Sequence, residues 1–315
     1  MARPFQILQT SLAEPSLVFA GSSGFFAVQT CVFMGAQTMA PKVTVITAVY
    51  NGGSLLEETI RSVIDQSSDD MEFLVIDGGS TDGTLDILRR YDAVLDLWVS
   101  EPDKGIYDAF NKGVALAKGE WVIFLGAGDR LFDRDCIRRA VEELKSAGDG
   151  VQLAYGRVMT MGTDGSLVQE ENGPWSSMCD KWRGGRRLMP HHQGIFERRS
   201  FLAQRPFDMN YTVVADYKSF MQAIAHCPPL YIDCVITRVF VGGVSTAPRS
   251  SFFASREIRR LNRELGLGRD HLPHQLFFGL KSAVKTFLSV VISTPMAMRL
   301  IDAYRKLTGR RKMWT

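Results

Sequence analysis

Cysteine is scarce in this chain: five in 315 residues, at Cys31, Cys136, Cys179, Cys227 and Cys234. None is in C-x-x-C spacing and the number is odd. Neither a zinc site nor a disulfide framework is indicated, and a reducing cytosol suits the chain. No G-x-G-x-x-G follows the first apolar run, which removes support for a nicotinamide-dependent oxidoreductase. The run Gly78-Gly79-Ser80-Thr81-Asp82-Gly83 has no lysine after its last glycine, so it is no P-loop and reads as a turn before a helix. Internal repeats and low-complexity tracts are missing, and no nucleic-acid recognition motif accompanies the basic residues. Long apolar runs are nearly missing too. Leu17–Ala36 carries no charge but is interrupted by Gly-Ser-Ser-Gly and by Gln29-Thr30, which is marginal against the ~20 apolar residues of a membrane-spanning helix. Arg3 alone is a poor basic region for a secretory signal. Residues 1–40 therefore read as an N-terminal extension. Two alternatives stay open: a poorly ordered stretch ahead of a start at Met39, or a weak membrane-associated helix.

What is present is an alternation of short apolar runs and helix-like segments from Pro41 to Leu131. The runs Val43–Val49, Phe73–Ile76, Leu95–Val99 and Trp121–Leu125 predict four parallel strands of an α/β sheet. Ser54 with Glu57 predicts a capping box on the first helix, with Leu55, Ile60, Val63 and Ile64 facing the core. Ser80, Thr81 or Asp82 is expected to cap the second, and Ile106–Lys118 forms the third. Each strand ends in small or acidic residues, and ligands of open α/β sheets sit at those ends. Asn51, Asp77 and Asp129 are thus expected at one crevice. Further on, Arg134–Ser146 predicts a helix, and Gln152–Thr160 with Ser166–Gln169 a hairpin. The stretch 172–188 predicts a loop, Asp216–His226 a helix and Leu230–Val241 a strand.

Four groups of residues carry possible chemistry, each with a plainer reading. Gly78–Gly83 is read above. Asp129, after Gly-Ala-Gly, is either a turn residue or a lone carboxylate for a hard cation that holds a diphosphate. Asp216 is either a helix N-cap or a general base near an incoming hydroxyl. His191 and His192 diverge in an extended segment, so at most one contacts a phosphate or acceptor.

The order of these segments resembles the family 2 glycosyltransferases. The matching residues are VTVITAVYN, LLEETIRSVIDQ, FLVIDGGSTDGT, GIYDAFNKGVALAKGEWVIFLGAGD, HHQGIFERR and FD…YTVVADY, spanning about Pro41 to Gly243. Details look like the subgroup that builds bacterial surface polysaccharides, including the colanic acid type. The resemblance implies a single GT-A-type α/β domain over 41–245, with a mixed, mostly parallel sheet flanked by helices. It implies an inverting, hexosyltransferase-type enzyme using a nucleotide-diphospho-sugar donor and a divalent metal, Mg²⁺ or Mn²⁺. Thr47 and Asn51 would line the nucleoside pocket and Asp77 would bind the base. Asp129 would hold the metal and the donor diphosphate, and Asp216 would be the catalytic base. His191 or His192 would touch acceptor or phosphate. Gly126 and Gly128 depart from the acidic signature of many members. A non-catalytic sugar-nucleotide-binding or scaffold protein of the same fold is the alternative.

Charge is uneven. From Arg256 onward there are 13 Lys/Arg against 4 Asp/Glu, leaving 24 against 30 before it. Residues 246–315 read as a basic amphipathic helical tail, with helices over Phe252–Leu265 and Gln275–Thr294. Such helices suit an anionic membrane surface, as a lipid-linked saccharide acceptor would require. A helix packed on the catalytic domain with its charges solvated is the plainer reading. The expected location is cytoplasmic, peripheral at the inner face of the plasma membrane.

Overall fold

A computed structural model describes residues 41–162, 164–183, 189–225, 227–241, 248–266 and 294–307. The apolar runs form strands where expected. These are β1 (Val43–Val49), β2 (Met71–Asp77), β3 (Leu97–Ser100) and β4 (Trp121–Gly126), all parallel. Every residue of β1 is buried, because helices cover both faces of this part of the sheet. Beyond a two-residue β5 (Arg130–Leu131) come β6 (Leu153–Met161), β7 (Leu167–Glu171), β8 (Ile195–Arg198) and β9 (Leu230–Phe240). The strand order is β3-β2-β1-β4-β8-β6-β9-β5, with β7 paired to β6. β8 runs antiparallel to both β4 and β6, while β6 and β9 are parallel. This is a mixed, mostly parallel sheet in a single GT-A-type domain, as expected.

Helices pack as two layers. On one face lie α1 (Gly53–Ile64), α2 (Thr84–Tyr91) and α4 (Cys136–Lys145). On the other lie α3 (Ile106–Leu116), α5 (Trp175–Arg183), α6 (Arg199–Gln204), α7 (Ala215–Ile224) and α8 (Pro248–Glu264). A further helix, α9, spans Thr294–Leu307.

Local expectations needed four corrections. The first concerns the start of α1, which no Ser54 cap closes. The Gly52 and Gly53 N–H groups instead donate to Thr84 Oγ1, each at 3.1 Å, and Glu57 accepts from Tyr91 and Arg61. Second, the buried face of α1 is Leu56, Ile60 and Val63, at i, i+4 and i+7. Leu55 and Ile64 are exposed. Third, no side chain caps α2; Asp82 accepts from the Thr84 N–H at 3.1 Å within the preceding turn. Fourth, the expected loop at 172–188 contains α5, anchored by buried Met178 and by Trp175 edge-on to Phe220 at 6.3 Å.

The first tail helix is not free. α8 sends Ala254, Ile258 and Leu261 into the core that α7 also lines, Leu265 follows them just past its end, and Leu261 is fully buried. Burying that side chain contributes roughly 1.5–3 kcal/mol. The expected helix at Gln275–Thr294 lies outside the described residues apart from Thr294, and so do residues 1–40. Among the described residues no helix is long and apolar enough to cross a membrane.

Candidate active site

The site is built at the carboxyl ends of β1, β2 and β4. Asp77, fully buried at the end of β2, organises the first part. Its Oδ2 accepts from the Gly79 N–H at 3.1 Å, the Ser80 N–H at 3.0 Å and the Ser100 hydroxyl of β3 at 2.6 Å. Its Oδ1 accepts from the Ser80 hydroxyl. Ser80 Oγ in turn accepts from the Asn51 N–H at 2.7 Å, and Asn51 Oδ1 accepts from the Thr81 N–H at 2.9 Å. Asn51 holds a left-handed backbone, φ 50°, which Asn tolerates better than most residues. Asn51 and Asp77 thus meet, as expected, in one hydrogen-bonded shelf. Both of Asp77's oxygens are engaged by the chain itself.

Two neighbours escaped the sequence reading. Tyr50, next to Asn51, is 66% exposed at the rim. Asp103 stands over Gly78, whose missing Cβ would meet Asp103 Oδ2 at 2.4 Å. A carboxylate from the next loop therefore fills the space a side chain at 78 would take. Thr47 is not brought to this rim. It is fully buried, on the β1 face that Val45 and Val49 turn toward α1, and its hydroxyl has no partner.

At the end of β4 the chain turns through Gly126-Ala127-Gly128. The Asp129 N–H donates to the Gly126 carbonyl at 3.1 Å, and Asp129 Oδ2 accepts from the Gly126 N–H at 2.8 Å. Gly128 takes φ +99°, a conformation that favours glycine, and its N–H donates to Thr59 Oγ1 at 2.9 Å. Burial pushes the Asp129 carboxyl up to about 6, only partly offset by the Gly126 N–H, Gln193 and His192. A buried carboxylate short of positive charge is what a divalent cation would satisfy. Among the described residues no group of three or more His, Cys, Asp or Glu side chains could hold a metal. Asp129 therefore fits a cation only with donor phosphates and water completing the shell, a mode Mg²⁺ commonly uses.

Asp216 lies in the first turn of α7, inside the helix; the N-cap is Val214. Asp216 Oδ1 accepts from the Tyr107 hydroxyl at 3.0 Å and the Tyr217 N–H at 2.8 Å. Oδ2 is 3.9 Å from His192 Nδ1, and the side chain keeps 19% exposure. Tyr107 comes from α3. One turn later on that helix, Asn111 clamps Phe207 through both its N–H (2.9 Å) and its carbonyl (3.0 Å). Tyr107 and Asn111 stand at i and i+4, so one face of α3 fixes the segment leading into α7. A polar pair at that spacing on a core-facing helix stood in the sequence, unread.

His191 and His192 stand not in an extended segment but at the start of a short 3-10 turn, His192–Gly194. The His192 ring stacks on Phe124 at 5.4 Å and packs near Phe110 and Phe207. Its Nε2 is 3.8 Å from Glu197 Oε1, and Glu197 is bound by the Ser219 hydroxyl at 2.6 Å. Burial disfavours the charged ring, but Glu197, Asp216 and Asp129 together raise its pKa. His192 thus interacts electrostatically with both Asp129 and Asp216. At His191 the balance is the opposite. Burial lowers its pKa, and Nδ1 has no partner. Asn172 Oδ1 accepts from its backbone N–H at 2.6 Å. Gln193 acts on both, raising the pKa of His191 and lowering that of Asp129.

The sequence pattern of glycosyl transferase family 2 matches residues 44–205. The chain belongs to that family. It is a glycosyltransferase. An uncharacterized glycosyltransferase of Mycobacterium tuberculosis is 31% identical over 246 residues, covering 77% of this chain and 92% of the relative. A PGL/p-HBAD biosynthesis glycosyltransferase of Mycobacterium bovis is 34% identical over 182 residues, covering 56% of this chain and 68% of the relative. In fold, the chain resembles the mannosyltransferase of Pyrobaculum calidifontis, solved with GDP-Man and Mn²⁺. The TM-score is 0.55 at 18% identity, over 86% of this chain and 81% of that one. Family membership covers the Asp77 shelf, the Asp129 turn and the histidines; Asp216 lies past its matched span.

Proposed function

We propose that this family 2 glycosyltransferase is an inverting enzyme. It moves a sugar from a nucleotide-diphospho-sugar to a lipid-linked saccharide acceptor in cell-surface polysaccharide biosynthesis, of the colanic acid-like type. The observation that carries this reading is Asp216: a partly exposed carboxylate, steadied by Tyr107, sharing His192 with the strand end that bears Asp129.

In this reading the Asp77–Ser80–Asn51 shelf and Tyr50 receive the nucleoside. Asp129 would hold Mg²⁺ or Mn²⁺, which when bound neutralises the charge growing on the departing diphosphate. Asp216 takes the proton of the acceptor hydroxyl as that oxygen bonds to the anomeric carbon. The bond from that carbon to the diphosphate oxygen breaks, and the nucleoside diphosphate leaves with the electron pair. Attack from the opposite face inverts the anomeric configuration. In this reading His191 would touch the acceptor or a phosphate, the ligand satisfying its buried, unpartnered Nδ1, while His192 serves from within. The test is Asp216→Asn, which keeps the size but cannot take the proton. Turnover should fall ~10²–10⁴-fold while donor affinity stays near wild type; retained turnover would remove Asp216 as base.

Gly126 and Gly128, where many members carry acids, favour a second reading: a sugar-nucleotide-binding protein without catalysis. Hydrolysis of UDP-glucose, UDP-N-acetylglucosamine or GDP-mannose, with and without Mn²⁺, separates the two. A peripheral site at the inner face of the membrane is supported by α9. Met296, Leu300, Tyr304 and Leu307 form an exposed stripe at i, i+4, i+8 and i+11, beside Arg299, Arg305 and Lys306. The chain should sediment with vesicles containing anionic lipid and stay in solution with neutral ones. Equal behaviour with both would end the membrane proposal.

A further inference from the structure

The three residues just before α7 are held from outside by one carboxylate. Glu257, on α8, lies over forty residues beyond them. Its Oε1 accepts from the Thr212 N–H at 2.8 Å and the Thr212 hydroxyl at 2.7 Å. Its Oε2 accepts from the Val213 N–H at 2.9 Å and the Val214 N–H at 3.2 Å. Three successive backbone N–H groups and a hydroxyl thus converge on one side chain, and the last belongs to the N-cap of the helix that carries Asp216. An anion there suits the positive end of α7. No side chain within the 212–214 segment caps that end. The segment has no regular secondary structure of its own. It is pinned at Phe207 by Asn111 of α3 and at 212–214 by Glu257 of α8.

α8 is itself locked in place seven residues on. The Tyr211 hydroxyl donates to Glu264 at 2.5 Å, and Arg260 and Lys218 stand over the Tyr211 ring at 4.9 Å and 5.1 Å from its centroid. Glu257 and Glu264, at i and i+7, face the same neighbour but do different things. Glu264 fastens the helix; Glu257 shapes the backbone two residues before Asp216.

We propose that Glu257 is a positioning residue for the reaction, helix α8 setting the approach of the Asp216 carboxylate to the acceptor hydroxyl. This rests on Asp216 being the base. A misplacement of about 1 Å in a reacting group can cost ~10²-fold in rate, so a cap acting on the backbone beside the base is read in turnover and not in donor affinity.

The experiment compares Glu257→Ala, Glu257→Gln and Glu264→Gln in the full chain. The readouts are hydrolysis of UDP-glucose, UDP-N-acetylglucosamine and GDP-mannose, donor affinity by calorimetry, and amide exchange of residues 212–218. Glu257→Ala should lower kcat by about 10-fold to 10²-fold, keep donor affinity within about twofold, and speed exchange in 212–218. Glu257→Gln, which keeps one acceptor oxygen and turns the other into a donor, should recover only part of the rate. Glu264→Gln should lower the melting temperature yet leave kcat within about twofold. In an Asp216→Asn background, Glu257→Ala should cost nothing further, since both act on one step. An unchanged kcat in Glu257→Ala, a full extra loss in that background, or an equal loss in Glu264→Gln overturns the proposal. Full turnover in Asp216→Asn alone overturns instead the base assignment on which it stands.

Discussion

Asp77 closes β2 and Asp129 follows β4, on either side of β1, and both are buried. Asp77 accepts from four donors of its own chain. Asp129 has the Gly126 N–H, Gln193 and the field of His192, and its pKa is still pushed up to about 6. A carboxylate whose oxygens are saturated is a fixed part of the framework. One left short of donors and positive charge has capacity for a ligand. Family resemblance assigns both to the donor, but their physical settings differ: one carboxylate is fully engaged by its own chain and the other is not.

The largest test of that contrast is Asp77→Ala. It strands several buried donors, each costing about 1–3 kcal/mol, so stability in urea should drop by at least about 3 kcal/mol before donor affinity is considered. Asp77→Asn asks the same more gently. If it unfolds at the wild-type urea concentration and loses only donor affinity, the contrast breaks, and Asp77 contacts the nucleoside directly.

Asp129→Asn should do the reverse. Its folded pKa of about 6 stands above the ordinary 3.8, so between those values the folded chain binds the proton more tightly than the unfolded one. The stability this group contributes is full below pH 4 and is lost as pH rises through about 6. Removing the charge should therefore stabilise the donor-free protein at pH 7.5 by up to about 3 kcal/mol, with no gain at pH 4. Metal-dependent donor binding should disappear at the same time. Melting curves at the two pH values check the first part and calorimetry with Mn²⁺ the second; a loss of stability at pH 7.5 would place Asp129 with Asp77.

The smallest effect belongs to Thr47. Its buried hydroxyl has no partner, so Thr47→Val should gain up to about 1 kcal/mol with donor affinity unchanged. A weaker donor affinity in that variant would return Thr47 to the pocket.

Much of the donor half stood in the sequence. Apolar runs bounded by Gly, Asn and Asp gave β1, β2 and β4 nearly to the residue, and strand ends pointed to Asn51, Asp77 and Asp129. What the sequence leaves out is of another kind. Local spacing points to Ser54 as the cap, whereas Thr84, thirty residues away, accepts from the open N–H groups. The resemblance implies Thr47 at the nucleoside pocket; strand alternation turns it inward. Tyr107 and Glu257 act on α7 from distant helices. A sequence read in windows records which faces are apolar, but not which far side chain reaches an open backbone group.

β8 enters the sheet antiparallel, between β4 and β6. Its strand therefore starts where β4 ends, and this alone delivers His191 and His192 to the rim. It also sets a timetable. The β4 edge that β8 covers, Trp121–Ile123, leaves the ribosome with its partner still roughly seventy residues away. At about 5–20 residues per second that edge stays unpaired for several seconds. An exposed apolar edge invites mispairing with other chains, so a nascent chain stalled between β4 and β8 should be the aggregation-prone species, and one that chaperones bind.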